Sequence, residues 1–197
     1  MITVSTSSSA VRNYHHGDLR TALVEAGLRA LETTSLADLS LRQLAREVGV
    51  SATAVYRHFP DKRALMSALA TAGLEGLAQA QQAAADAEPE LAFAATGRAY
   101  VRFALANPAL FRLIFSHACP EDKTVFGESL AARMLRDNAA ALSDNALAAQ
   151  RLVVQSWAVV HGLAMLMLDN QLPADDALID RVIDPATLFS RRAADTA

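Results

Sequence analysis

The sequence predicts an all-α fold in two helical domains, and three observations carry that expectation. Ala and Leu dominate the 197 residues, 52% of the chain is hydrophobic, and β-branched runs are scarce; such a composition favours helices over strands. Apolar residues recur every three or four positions along most of the chain, the period of a helix with one buried face. Gly, Pro and short Ser, Asn or Asp caps break the pattern where helices should end. The sequence contains no internal repeats and no convincing strands.

The elements follow in order. Residues 1–13, MITVSTSSSAVRN, are rich in Ser and Thr with no long apolar run, so they read as a disordered arm and not as a signal peptide. A first helix is expected from Gly17 to Glu32, with Leu19, Leu23, Ala26, Leu28 and Leu31 facing inward. Ser40 is expected to cap a second helix, its hydroxyl accepting from an orphan N–H. Leu41, Leu44, Ala45 and Val48 give that helix an apolar face, and Gly49 ends it by taking a positive φ. Val50 plugs the corner, Ser51 caps a short third helix, and Pro60 disfavours helix at Phe59.

Val55 and Phe59 stand four apart and should pack inward, which leaves Thr53, Ala54, Tyr56, Arg57 and His58 largely outward. A corner that only packs has no need for Tyr, Arg, His and Lys exposed together. A short hydroxyl, a small apolar group, a Tyr and several cations instead suit a DNA major groove and its flanking phosphates. Residues 14–63 therefore read as a three-helix helix-turn-helix DNA-binding domain. Its candidate contacts are Ser40, Arg42, Ser51, Thr53, Ala54, Tyr56, Arg57, His58 and Lys62.

Residues 64–197 are expected to form a helical effector-binding and dimerisation domain. A long fourth helix runs from a cap at Asp61 to Ala85, weakened by Gly73 and Gly76 at about 1 kcal/mol each. Glu90–Ala106 follows, then Pro108–Ser116 behind an Asn107 cap with Pro at the first helical position. Further helices are expected from Pro120 to Leu142, from Asp144 or Asn145 to Leu168, and from Pro173–Asp176 to Ser190. The stretch Leu147–Leu168 is apolar nearly all round, but Arg151 and Gln155 cut it short of the roughly 20 apolar residues of a membrane span. Burial on several sides is the better expectation, one side against its own domain and another against a partner subunit.

Tyr100, Phe103, Phe111, Phe115, Trp157, His161 and Met165 are the candidate ligand-lining residues, drawn from separate helices as a small-molecule cavity requires. Aromatic and Met residues at helical spacing are more often plain core. Arg102, Arg112 and His117 are the candidate polar orienting groups, or surface and salt-bridge partners. His161 reads as the maker of one buried hydrogen bond, and Gly162 as a site of close helix packing. No metal-ligand spacing, Gly-rich phosphate loop or nucleophile elbow is present in the sequence, so neither an enzyme nor a bound metal or cofactor is expected. The single cysteine, Cys119, allows no internal disulfide and reads as a small buried hydrophobe rather than a redox sensor.

The net charge of −3 is unevenly spread. Residues 1–63 hold eight Lys/Arg against six Asp/Glu and three of the five histidines, while residues 64–197 hold ten against fifteen. Positive charge thus gathers where DNA contact is expected.

The segment Val50–Leu65, VSATAVYRHFPDKRAL, resembles the recognition-helix signature of TetR-type transcriptional regulators. Tyr14–Arg20 is similar to the start of the first helix in many of them. Tyr100–Phe115 and Ser156–Leu166 resemble a subgroup whose C-terminal domain carries a Trp-x-x-x-His-Gly pattern, here Trp157, His161 and Gly162. One departure is Thr53-Ala54, where many relatives have Gly-Thr, so base preference does not carry over. The resemblance implies a cytoplasmic homodimer formed through the last two helices, binding a palindromic double-stranded operator, and acting as a repressor released by a small-molecule effector. The reading of a different class is a helical small-molecule-binding protein or enzyme whose N-terminal corner is purely structural.

Overall fold

The computed structural model describes residues 19–116 and 129–184. Among them the order is α1 (Leu19–Leu31), α2 (Leu41–Val48), α3 (Ala52–His58), α4 (Lys62–Ala87), a 3-10 turn (Pro89–Leu91), α5 (Ala92–Ala106), α6 (Pro108–Ile114), α7 (Leu130–Ala141), α8 (Ala146–Leu168) and α9 (Asp176–Val182). The 1–13 arm, Tyr14–Asp18, His117, Cys119, the helix start at Pro120 and the chain end near Ser190 lie outside the described residues.

Local chemistry accounts for most helix ends. Gly49 takes φ 77°, and the N–H groups of Gly49 and Val50 return to the carbonyls of Arg46 and Ala45 at 3.3 and 2.9 Å. That pair of bonds is a Schellman motif, which a left-handed glycine makes without steric cost. Ser51, Asp61, Asn145 and Asp175 each accept a backbone N–H from the first turn of the helix they precede. Two expected caps behave otherwise. Ser40 has the extended backbone of an N-cap, but its hydroxyl accepts no capping bond. Asn107 turns its side chain back to the Phe103 carbonyl at 3.0 Å, so it closes α5 rather than opening α6.

Two hydrophobic clusters organise the packing. The first joins Leu23, Ala26 and Leu31 of α1, Leu41, Leu44 and Ala45 of α2, Val55 of α3 and Phe59 to Leu65, Met66, Leu69 and Ala70 of α4. It therefore continues past the boundary expected at residue 63 and ties the N-terminal unit to the start of α4. The second joins Leu77, Tyr100, Val101, Ala104, Phe111, Leu163, Ala164, Met167, Ile179 and Ile183. Gly73, expected only to weaken α4, has a packing role: a Cβ there would lie 2.9 Å from Leu110 and Ile114 of α6. The small residue lets the two helices approach.

Within the subunit, α8 is covered on one side only. Only Leu163, Ala164 and Met167 are buried within the subunit, while Leu147, Val154 and Leu166 are 67%, 62% and 45% exposed. An 18-residue stretch of its 23 residues reaches a mean hydropathy of 1.5, long and apolar enough by that measure to cross a membrane. A Cβ at Gly162 would meet nothing within 4 Å, so this glycine serves no close packing inside the subunit. α8 is held on one side by α5 and α7 and leaves the other uncovered.

Candidate nucleic-acid interface and ligand cavity

The Gly49 corner sets α3 on the outside of the first cluster. Val55 and Phe59 are fully buried, and Phe59 also lies under the Arg20 guanidinium, 5.4 Å from its ring centre. Helical periodicity then forces the opposite face of α3 outward. Ser51, Thr53, Tyr56, Arg57 and His58 are exposed, and Ala54 is half-buried. Arg42 is exposed on α2, with Ser40 half-buried ahead of it. The protein thus presents two hydroxyls, a phenol, an imidazole and two guanidiniums on one corner, a donor-rich surface of the kind that meets phosphates and base edges.

Lys62 sits differently from the other candidates. Its Nζ donates to the Ala37 carbonyl at 2.7 Å, bracing α4 against the loop before α2. An ammonium has three donors, so two protons stay available to a phosphate. Arg29 and Glu47 pair at 3.2 Å between α1 and α2, which neutralises an acid close to this surface. Sequence alone gave no sign of either contact, because both join segments far apart in the chain.

The candidate ligand residues do not converge on one wall. A cavity of about 420 Å³ opens between α4, α5, α7 and α8, and of the seven only Tyr100 and Trp157 line it. Phe103 lines a smaller hollow of about 160 Å³ beside Leu28 and Leu31 of α1 and Glu32 just after it. Phe111 is fully buried core. Phe115 and His161 meet edge-to-face beside Tyr100, with ring centres 4.9 Å apart, and Met165 packs on the second cluster. Residues that the sequence reading passed over complete the main cavity: Gln81 of α4, Phe93, Thr96 and Gly97 of α5, Met134 and Leu135 of α7, and Ser156 of α8. Their one advance signal was smallness at Gly97, where a Cβ would press within 3.1 Å of Ile183.

A polar chain links the cavity wall to the aromatic cluster. Trp157 Nε1 donates to Tyr100 Oη at 3.4 Å, and Tyr100 Oη stands 2.9 Å from His161 Nδ1. Burial holds the His161 pKa below its ordinary value and so favours the neutral imidazole. The indole can only donate, so the phenol accepts from it, while the donor between Tyr100 Oη and His161 Nδ1 is set by the imidazole tautomer. Burial also raises the Tyr100 pKa well above that of a free phenol, which keeps the hydroxyl protonated. Arg102 and Arg112, the candidate orienting groups, are engaged elsewhere. Arg102 bridges Asp176 and Asp180 at 2.7 and 2.9 Å, fastening α9 to α5, and Arg112 pairs with Asp169.

Comparison with known proteins adds an independent line. A family model described as bacterial regulatory proteins, tetR family, matches residues 23–69. A second, described as tetracyclin repressor-like, C-terminal domain, matches residues 93–186. Among solved structures, the chain is similar to a protein with unknown function from Rhodococcus sp. RHA1, at 34% identity and a TM-score of 0.72, covering 90% of this chain and 97% of that one. It shares its fold with a "possible TetR family transcriptional regulator" from Streptomyces coelicolor A3(2), at 23% identity and a TM-score of 0.56, covering 85% and 82%. No curated protein matches the chain.

Proposed function

This chain belongs to the tetR family of bacterial regulatory proteins, and we propose that it works as a homodimeric repressor released from a palindromic operator by a small-molecule effector. The observation that carries the reading is the exposed donor face of α3 on a glycine corner, joined through α4 to a separate cavity. Thr53 and Ala54 are the candidate base readers. Tyr56, Arg57, His58, Lys62, Arg42, Ser51 and Ser40 are the candidate phosphate contacts. Such a protein acts in the cytoplasm, where the DNA is, and needs no catalytic group, metal or cofactor.

The uncovered side of α8 supports dimerisation through the last two helices. Leu147, Arg151, Val154, Ala158, Gly162 and Leu166 recur at spacings of three and four along its uncovered side. Ala158 and Gly162 are small where a second helix would cross, and the open space at Gly162 suits that approach. Two-fold pairing would place two α3 helices about one DNA turn apart, and a palindrome is the sequence that such a dimer reads. The finer assignment to the subgroup with a Trp-x-x-x-His-Gly domain rests on Trp157, His161 and Gly162. Their polar chain to Tyr100 gives the motif a structural purpose at the cavity wall.

The effector must bind the released state better than the DNA-bound one, since only differential affinity shifts an equilibrium. Footprinting on the DNA flanking its own gene, at low salt and without effector, tests the reading. Protection of two adjacent half-sites is expected. Absence of any specific site would leave the helical binding protein with a structural corner as the better account.

A further inference from the structure

The main cavity has a chemistry of its own. Among the described residues, no Asp, Glu, Lys, Arg or His lines it. Arg98, next to the lining residue Gly97, faces away to Glu88 at 3.4 Å and Asp180 at 4.0 Å. A charge carried into its interior would therefore lose its water without meeting an opposite charge, which is a heavy penalty among apolar groups. At about 420 Å³ the space lies within the range of small-molecule sites.

Two lining residues carry buried polar atoms without a hydrogen-bond partner: Gln81 Oε1 on α4 and Ser156 Oγ on α8. The Gln81 amide has a fixed sense, because its Nε2 donates to the Thr96 carbonyl at 3.2 Å. Flipping it would set oxygen against oxygen, so the unmet atom is an acceptor. Of the other polar side chains of the wall, Gln155 is exposed at the cavity's edge, and Thr96 and Tyr100 are engaged. Thr96 Oγ1 donates to the Phe93 carbonyl at 2.8 Å, and the Tyr100 hydroxyl sits between Trp157 and His161. Buried polar atoms without partners are uncommon in folded proteins. Here two of them belong to lining residues on different helices of one cavity.

We propose that this cavity takes an uncharged, largely apolar small molecule carrying an N–H or O–H donor, held at Gln81 Oε1 with Ser156 Oγ as second partner. The inference rests on the cavity being the effector site. An occupant of this kind bridges α4 and α8, the helix that enters the N-terminal unit and the helix with the uncovered face.

Three fluorescent probes test it on the full-length protein. N-phenylnaphthylamine is neutral, apolar and has one N–H; its N-methyl derivative lacks the donor; anilinonaphthalene sulfonate adds a negative charge. The neutral amine should bind about tenfold or more tighter than the sulfonate, and N-methylation should weaken binding several-fold to about tenfold, as one hydrogen bond does. Gln81→Leu should abolish the N-methyl difference, and Ser156→Ala should reduce it. Equal or tighter binding of the sulfonate, or no N-methyl penalty in the wild type, would overturn the proposal. Those two wild-type comparisons decide it even if Gln81→Leu does not fold. DNA binding is read separately. A protein that obeys these probe rules yet holds DNA unchanged keeps the ligand chemistry and loses the effector reading; one that binds DNA but prefers the sulfonate does the reverse.

Discussion

Replacing Gly49 with Ala tests the corner on which the proposed interface depends. The residue sits at φ 77°, in the left-handed region, and an added Cβ would meet nothing within 4 Å. No clash contributes, so the whole cost is conformational. An L-residue in this region costs about 1–2 kcal/mol, and the stiffer unfolded chain of Ala offsets about 0.4–1 kcal/mol of it. A net loss of about 1 kcal/mol is expected, which lowers Tm by about 2–4 °C for a chain of this size. Gly49→Asn should fall between the two, because Asn tolerates the left-handed region better. Urea unfolding with thermal melting as a second probe measures both. An unchanged or raised Tm for Gly49→Ala would mean that the corner is not left-handed. A loss beyond about 3 kcal/mol would mean that the Cβ collides, contrary to the open space found there.

The other predictions concern separate parts of the molecule. Ser156→Ala should stabilise the unliganded protein, by up to about 1 kcal/mol, because it removes a buried hydroxyl without a partner; a lower Tm would show that the hydroxyl is bonded after all. Val154→Asp combined with Leu166→Glu places charges on the uncovered side of α8 and should yield monomers by sedimentation at micromolar concentration, whereas an unchanged dimer would move the interface elsewhere. Tyr56→Ala and Lys62→Ala should weaken binding to all DNA sequences, with the salt slope falling by about one for Lys62. Lys62→Ala should also lower Tm through loss of the Ala37 bond, and unchanged DNA affinity in both variants would refute the phosphate assignments. His161 titrates below its ordinary 6.5 because it is buried. Below that value the unfolded chain binds the extra proton first, so His161's contribution is present above about pH 6.5 and fades as pH falls beneath it. His161→Gln should flatten this part of the Tm–pH curve; parallel curves for the two proteins would contradict the assignment.

Much of the fold was legible because helix ends are local events. Gly49, Ser51, Asp61 and Asn145 announce their roles through residue type and the spacing of the apolar face beside them. The outward face of α3 was legible for the same reason, since Val55 and Phe59 fix which side is buried. The cavity was not. Gln81 stands in an Ala/Gln stretch that reads as a solvated helix end, and nothing nearby in sequence says that Ser156 and Met134 will come to face it. Aromatic residues misled for a related reason: Phe111 and Phe115 have the same spacing whether they line a void or fill it. On α8, hydrophobicity predicts more covered sides than one subunit supplies: α5 and α7 cover one, and the open one is the side expected to meet a partner subunit. Ser40 and Asn107 show a smaller limit, because a cap residue in the right place can spend its side chain on another bond or on none.

The most direct test of the central claim is selection of bound duplexes from a random pool, run side by side for the wild type and for Thr53→Ala and Tyr56→Ala. The account predicts that the wild type enriches a palindrome with half-sites one helical turn apart. Thr53→Ala should change the preferred bases, and Tyr56→Ala should keep them at lower affinity. No enrichment by the wild type, or identical preference and affinity in all three proteins, would show that α3 does not read DNA.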